Sequence, residues 1–266
     1  MNGLGADVSY ESPRLSVVIP ARDEALCITS VIAEWFAQRD SNRLLDLLEI
    51  VVANNGSRDG TGALARASGA RVIEVAQPGY GRACWEGAHF SRGSILMFVD
   101  GDGAVDPSQA QLLLQHIDEG ADLVIGVREQ AAPGSMTPPQ RFGNWLACVL
   151  IRTLWPVPAP DLGPFCAIRR DAFDALRLRD RSFGWTVEMQ VRAHAIGLRV
   201  GYCPVTWRRR VAGRSKVSGT VSGVFNAGVG IFGMIAKLWL SEQRRPRREA
   251  DLFHRHTNSP YTKTPF

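Results

Sequence analysis

The sequence is poor in cysteine, and its cysteines are not paired. The 266 residues include five, Cys27, Cys84, Cys148, Cys166 and Cys203, and no two of them form a C-x-x-C pair. Disulfide-held secreted domains and structural zinc sites both use cysteines at short, repeated spacings. We therefore expect neither a disulfide framework nor a zinc site, and we expect a reducing, cytoplasmic setting.

The two ends of the chain lack apolar periodicity. The first residues do not show the basic and then apolar segment of a secretory signal peptide. Residues 1–13 and 243–266 are instead rich in charge, proline and small polar residues. Segments of this composition bury too little apolar surface to offset the entropy of ordering. We predict a flexible N-terminal tail at 1–13 and a basic, disordered tail at 243–266.

The sequence also lacks an uninterrupted apolar run of membrane-spanning length. Its longest apolar stretch, residues 221–240, contains four glycines and an asparagine, whereas a span needs roughly 20 predominantly apolar residues. Basic residues flank this stretch, and the net charge of the chain is +5. We predict an apolar helix at 217–242 that lies on the inner face of a membrane. The alternatives are a helix buried against the rest of the protein and basic clusters that are only solvated.

Short apolar runs alternate with helical patterns along the first half of the chain. Runs rich in valine and isoleucine lie at 15–21, 48–54, 70–76, 94–100 and 122–127. Segments long enough for two or more helical turns separate most of them, which indicates a mostly parallel sheet with helices on both faces. Further helices are predicted at 141–155 and 186–197, and a further strand at 198–207.

Polar clusters follow three of these predicted strands directly, at 20–24, 54–61 and 100–107. Ligands of open α/β sheets bind beyond the carboxyl ends of the strands, where such clusters meet. In the third cluster, Asp100 and Asp102 flank Gly101, so that both carboxylates reach one small volume. Mg²⁺ or Mn²⁺ with substrate phosphates suits such a pair. An aspartate-rich turn without a ligand is the alternative.

Taken together, "VVIPARDEA", "VVANNGSRDGT", "QPGYGRACWEGAHFSRGSILMFVDGDGAVDP", "DLGPF" and the segment from "GWTVEMQ" to "GRSKVSGT" resemble the family 2 glycosyltransferases. The resemblance is closest to the dolichol-phosphate and polyprenyl-phosphate mannose or glucose synthases. It covers roughly residues 14–240 and implies a Rossmann-like GT-A fold, with the catalytic domain at 14–216.

The resemblance also implies roles for individual residues. Nucleotide-sugar binding is implied for four groups of residues: Pro20, Ala21, Arg22 and Glu24; Asn54, Asn55, Ser57 and Asp59; Gly79, Gly81 and Arg82; and Asp100 and Gly101. Asp100 and Asp102 become the metal ligands. The candidate catalytic residues are Asp102, Glu188 and Asp161. The residues implied to bind the acceptor phosphate are Arg128, Arg141, Arg214 and Lys216.

Two positions depart from the family pattern. Asn54 and Asn55 stand where the family usually has a pair of aspartates. This difference leaves open whether the bound nucleotide is UDP or GDP. Ala104 stands where some polyprenyl-phosphate enzymes have a glutamine, so metal binding depends more heavily on the two aspartates and on water.

The sequence thus predicts a metal-dependent, membrane-associated glycosyltransferase that transfers a sugar, with inversion, from a nucleotide diphosphate to a polyprenyl phosphate. Three alternatives remain open: the same fold with a soluble or cell-envelope hydroxyl acceptor, in which Glu188 or Asp161 is the base; a nucleotidyltransferase; and a non-catalytic nucleotide-sugar binder. No motif indicates nucleic-acid binding.

Overall fold

The structure, a computed structural model, describes residues 14–41, 48–213 and 221–243. Seven strands form one sheet within these residues. They are β1 Leu15–Ala21, β2 Leu48–Asn54, β3 Arg71–Glu74, β4 Ile95–Phe98, β5 Leu123–Ala131, β6 Cys166–Arg169 and β7 Val200–Trp207. The helices are α1 Ile28–Ser41, α2 Thr61–Ala67, α3 Tyr80–Phe90, α4 Ala110–Asp118, α5 Pro138–Leu154, α6 Arg170–Leu176, α7 Trp185–Ala195 and α8 Val221–Gln243. The predicted N-terminal tail, residues 214–220 and all of the predicted C-terminal tail except Gln243, which ends α8, lie outside the described residues.

The sheet order is β3-β2-β1-β4-β6-β5-β7, and one strand is reversed. β1 pairs in parallel with β2 and β4, β2 with β3, and β5 with β7, whereas β6 is antiparallel to both of its neighbours. The predicted mostly parallel sheet is therefore confirmed. Because β6 is reversed, the segment that precedes it, rather than the one that follows it, arrives at the carboxyl edge of the other strands.

The core lies on both faces of the sheet. Ile28, Ile32 and Trp35 of α1 and Leu113 and Ile117 of α4 cover one face. On the other face, side chains of α3, α6 and α7 cover the same strands, and Phe98, Phe173 and Trp185 form an aromatic cluster there. β1 and β2 are buried along nearly their whole length, which is expected of parallel strands covered on both sides.

A third apolar cluster attaches α5 and α8 to this body. Val187 and Val191 of α7 belong to one buried cluster with Cys148 and Ile151 of α5 and Met234 and Ile235 of α8. The opposite sides of α5 and α8 are exposed, so α8 is neither fully buried nor free of the domain. No helix among the described residues is long and apolar enough to cross a membrane. All five cysteines are buried as free thiols.

Candidate active site

A cleft of about 740 Å³ runs along the carboxyl edge of the sheet. Three predicted loops contribute to it, as does the wall formed by the start of α8. Ten residues predicted for the site line it: Pro20, Ala21, Arg22, Glu24, Asn55, Gly79, Asp100, Gly101, Asp102 and Arg128. The sequence reasoning had not singled out several others, among them Tyr80, Phe183, Thr186, Trp207 and Arg210.

Asp100 and Asp102 lie at the centre of the cleft and are held differently. The Tyr80 hydroxyl donates to Oδ1 of Asp100 over 3.3 Å. The backbone N–H of Ala104 donates to Oδ1 of Asp102 over 3.0 Å. Gly103, which follows them, has a φ of +76°, and an added Cβ there would lie 2.4 Å from the Val211 side chain. A glycine is therefore required at this position, both for the left-handed backbone conformation and for the close approach of Val211.

The electrostatics of this pair fit a cation. Burial, followed by the neighbouring charge of Asp102, raises the pKa of Asp100 to about 7. Ionisation of a buried carboxylate next to a second carboxylate is costly. A bound cation lowers this cost, because it stabilises the ionised form. The described residues contain no group of three or more histidine, cysteine, aspartate or glutamate side chains that could hold a metal. The pair fits Mg²⁺ or Mn²⁺, which characteristically take one or two carboxylates and complete their shell with phosphate and water.

Arg210 joins the first loop to the aspartate pair. Its guanidinium donates to Oε2 of Glu24 over 2.6 Å and lies 3.4 Å from Oδ2 of Asp102. The side chain is 19% exposed and lines the cleft. In the sequence, Arg210 is one of three consecutive arginines, and no site role is predicted for it. Its position directly after the predicted 198–207 strand, at the same edge of the sheet, was the signal that could have identified it.

Ser57 and Asp59 lie behind the first loop rather than in the cleft. Ser57 Oγ accepts from the backbone N–H of Asp23, and Asp59 Oδ2 accepts from that of Ala25. Although burial acts in the opposite direction, hydrogen bonds from Thr61 and Ala25 lower the pKa of Asp59. These two residues therefore fix the shape of the first loop, and Glu24 with it.

The paired asparagines have different surroundings. Asn55 lines the cleft, and its Oδ1 accepts from the backbone N–H of Gly79 over 3.1 Å. Asn54 is not a lining residue; its amide donates to Glu74 over 2.7 Å. The structure therefore brings only the second asparagine to the cleft.

Gly79 and Gly81 allow a second backbone segment to approach α3. An added Cβ at Gly79 would lie 2.2 Å from the carbonyl oxygen of Arg181, and one at Gly81 would lie 2.8 Å from that of Asp180. The backbone N–H groups of Gly81 and Arg82 donate to Ser182 and Arg181. Gly81 and Arg82 do not line the cleft, and the glycines accommodate residues 180–182 at the start of the helix.

Glu188 and Asp161 are buried beneath the cleft instead of lining it. Oε2 of Glu188 accepts from the backbone N–H groups of Arg179 and Asp180 over 2.8 and 2.7 Å. Both carboxylate oxygens of Asp161 accept from the Arg128 guanidinium, over 2.7 and 2.6 Å. Each carboxylate thus holds a neighbouring segment or side chain that does reach the cleft.

Of the predicted acceptor residues, only Arg128 lines the cleft among those that the structure describes. Besides Asp161, its guanidinium contacts Asn144 Oδ1 over 3.2 Å and lies over the Trp207 ring. Arg141 is exposed on the first turn of α5, whose N-cap residue Thr137 and third residue Gln140 line the cleft. Arg214 and Lys216 lie outside the described residues.

Comparison with known proteins identifies the family. The sequence profile of glycosyl transferase family 2 matches residues 16–177. The chain belongs to this family. It is a glycosyltransferase, with the GT-A fold expected from the sequence, and the predicted resemblance to polyprenyl-phosphate sugar synthases is confirmed by its relatives.

Two relatives and one solved structure illustrate the range of this glycosyltransferase family. An uncharacterised glycosyltransferase of Mycobacterium tuberculosis is 32% identical over 209 residues, 79% of this chain and 92% of the relative. A polyprenol monophosphomannose synthase of Mycolicibacterium smegmatis is 30% identical over 82% of this chain and 87% of its own. A glucosyl-3-phosphoglycerate synthase of M. tuberculosis, crystallised with Mn²⁺, UDP-glucose and phosphoglyceric acid, has a TM-score of 0.68 at 23% identity, with 86% of this chain and 80% of that chain covered.

Proposed function

We propose that this glycosyltransferase transfers a sugar from a nucleotide diphosphate to the phosphate of a polyprenyl lipid at a membrane surface. The observation that carries the proposal is the continuity of the cleft. The Asp100 and Asp102 pair, the Arg128 side chain and the start of α8 line one cavity. A donor diphosphate and an acceptor phosphate bound there would lie side by side.

The proposed donor is a UDP- or GDP-linked sugar, bound along the first loop, Asn55 and Gly79. Mg²⁺ or Mn²⁺ is the proposed cofactor, with Asp100 and Asp102 as its protein ligands. When bound, the cation neutralises the charge that develops on the diphosphate as the glycosidic bond breaks. Arg210 keeps the first loop and Asp102 together and lines the same cleft.

The proposed acceptor phosphate binds at Arg128, which can donate to phosphate oxygens as it does to carboxylates. One of these oxygens attacks the anomeric carbon, the bond to the diphosphate breaks, and the nucleotide diphosphate leaves with the electron pair, so the configuration inverts. Because a phosphate is already anionic, no general base is needed. Asp161 and Glu188 are accordingly proposed as positioning residues. Arg141, Arg214 and Lys216 remain proposed phosphate contacts.

The lipid part of the proposal rests on the α5–α8 face. Phe142 and Trp145 of α5 are 61% and 56% exposed, and Phe225 and Val229 of α8 are 69% and 56% exposed. The other sides of the same two helices pack on α7. We propose that this face lies in the membrane interface, as the predicted 217–242 helix does, so that a lipid phosphate enters the cleft between α5 and α8.

Acceptor preference is the direct test. The purified chain is incubated with radiolabelled UDP- and GDP-sugars and Mn²⁺, with either polyprenyl phosphate in detergent or phosphoglyceric acid. We expect label in the organic phase with the lipid. Label only in a water-soluble product would assign the site to a small phosphorylated acid, for which Arg128 is equally suited. Turnover that requires neither acceptor phosphate would contradict the proposal.

A matched pair of variants tests the metal assignment. Asp102→Asn retains the shape of a cleft carboxylate and removes its charge, so metal-dependent turnover should be lost. Asp106→Asn makes the same change four residues later, at a side chain that caps a 3₁₀ turn and pairs with Arg208 outside the cleft. It should retain activity. Normal turnover in Asp102→Asn would overturn the metal site.

A further inference from the structure

The side chain that holds the carboxylate of Asp100 is a tyrosine, to which the sequence motifs assign no role. Tyr80, the first residue of α3, donates its hydroxyl hydrogen to Oδ1 of Asp100 over 3.3 Å. In the part of the chain that the structure describes, no other side chain donates a hydrogen bond to Asp100. Asp102, by contrast, has a backbone donor and the Arg210 guanidinium.

The Tyr80 ring is itself fixed by the segment that crosses the start of α3. It stacks on Phe183, with ring centroids 6.4 Å apart and an interplanar angle of 14°. The backbone N–H of Gly81 fastens this segment by donating to the carbonyl of Ser182 over 3.0 Å. The base of the Phe183 side chain also abuts α8, where a Cβ added at Gly230 would lie 3.0 Å from that of Phe183. The Phe183 segment is therefore held against both α3 and α8, and its ring packs on Tyr80.

We propose that Tyr80 is a positioning residue for the metal site of this enzyme. Its hydroxyl sets the orientation of the Asp100 carboxylate, and Phe183 sets the orientation of the Tyr80 ring. This inference rests on the proposed metal-dependent function. Carboxylates that bind metals depend on hydrogen bonds from a surrounding layer of side chains, and loss of such a partner typically weakens metal affinity 10- to 100-fold.

The test measures Mn²⁺ affinity, not turnover. Electron paramagnetic resonance follows free Mn²⁺ during titration of the full chain, with and without UDP or GDP. Tyr80→Phe retains the stacked ring and removes only the hydroxyl, and we expect its Mn²⁺ affinity to fall about 10-fold or more. The matched control is Tyr202→Phe, which removes a partly buried hydroxyl that bonds His194 and the Pro158 carbonyl. The control should bind Mn²⁺ as the wild type does.

Phe183→Leu is the second variant. It retains the Tyr80 hydroxyl and removes the ring that holds it, so a weaker but measurable loss of Mn²⁺ affinity is expected. Equal Mn²⁺ affinity in the wild type and Tyr80→Phe would overturn the inference and leave the metal site intact. Failure of the wild type to bind Mn²⁺ with either nucleotide would overturn the proposed metal-dependent function as well. An equal loss in Tyr202→Phe would show a general effect of lost stability and would also overturn the inference.

Discussion

Replacement of Asp161 by asparagine tests whether this carboxylate positions Arg128 or acts as a general base. In the structure its oxygens accept two hydrogen bonds from the Arg128 guanidinium and one from the Arg128 backbone N–H. Asparagine has nearly the same shape, but one oxygen becomes an NH₂ group that faces the donor nitrogens of the guanidinium. Arg128 then keeps Asn144 as a partner but loses its counter-charge.

The expected cost is large because the pair is shielded from water. The Arg128 and Asp161 side chains are 13% and 5% exposed. Removal of one member of such a buried pair typically costs about 3–5 kcal/mol, because the other charge stays buried without compensation. At the lower end of that range, the melting temperature of a domain of this size should fall by roughly 6–12 °C.

Urea denaturation of two single variants and the double variant provides the assay. Asp161→Asn and Arg128→Met should each be destabilised. Asp161→Asn with Arg128→Met should be less destabilised than the sum of the two, because neither charge is then left unpaired. We expect an interaction free energy of about 2 kcal/mol or more. In Asp161→Asn, kinetics should show a higher acceptor KM because Arg128 is no longer oriented.

Two results would refute this reasoning. One is an Asp161→Asn variant with unchanged unfolding free energy and a kcat that has nearly disappeared, which is the behaviour of a general base. The other is simple additivity of the two single variants, which would mean that the contact contributes nothing that depends on both partners.

Three further predictions concern other parts of the molecule. Gly79→Ala places a Cβ 2.2 Å from a facing carbonyl oxygen. It should lower the free energy of unfolding, measured in urea, by about 1–3 kcal/mol. Gly228 faces open space, so Gly228→Ala should not lower it. Burial lowers the pKa of His194 to about 4, so the unfolded chain takes up a proton first as the pH falls from about 6.5. The unfolding free energy of the wild type should therefore fall by about 3 kcal/mol relative to that of His194→Gln between pH 6.5 and 4, and parallel curves would contradict this. Trp145→Ser should weaken co-sedimentation with anionic vesicles by about 10-fold. The control Leu26→Ser changes an exposed apolar residue outside the α5–α8 face and should leave co-sedimentation unchanged. Equal effects of the two variants would contradict the proposal that α5 contacts the membrane.

The sheet and its functional edge could be predicted because the strands are short, apolar and followed by polar clusters. β1 and β2 have the predicted boundaries, and β4 ends two residues before Asp100, close to where its pattern ends. The reversal of β6 could not be predicted from its four residues. Its direction depends on pairing with β4 on one side and β5 on the other, across long sequence separations.

Residue roles were harder to predict than residue positions. Asp59 and Asp161 are near the site, as the motifs indicate, but they lie behind the cleft surface and hold Ala25 and Arg128, which are distant from them in sequence. Proximity in sequence does not show whether a residue contacts the ligand or only supports another residue that does. Tyr80 and Arg210 were missed for the complementary reason: each lies within a quoted motif segment, but its neighbour in the site follows another strand.

The buried thiols make the protein suitable for site-specific labelling. Burial raises the pKa of Cys148 to about 11 and that of Cys166 to about 12, and it also raises the pKa values of Cys27, Cys84 and Cys203. Alkylating dyes react with thiolates, which these residues rarely form at neutral pH. A cysteine introduced at exposed Val229 would therefore react first, with every native residue retained elsewhere. An environment-sensitive fluorophore at that position would report directly on contact between α8 and a lipid bilayer.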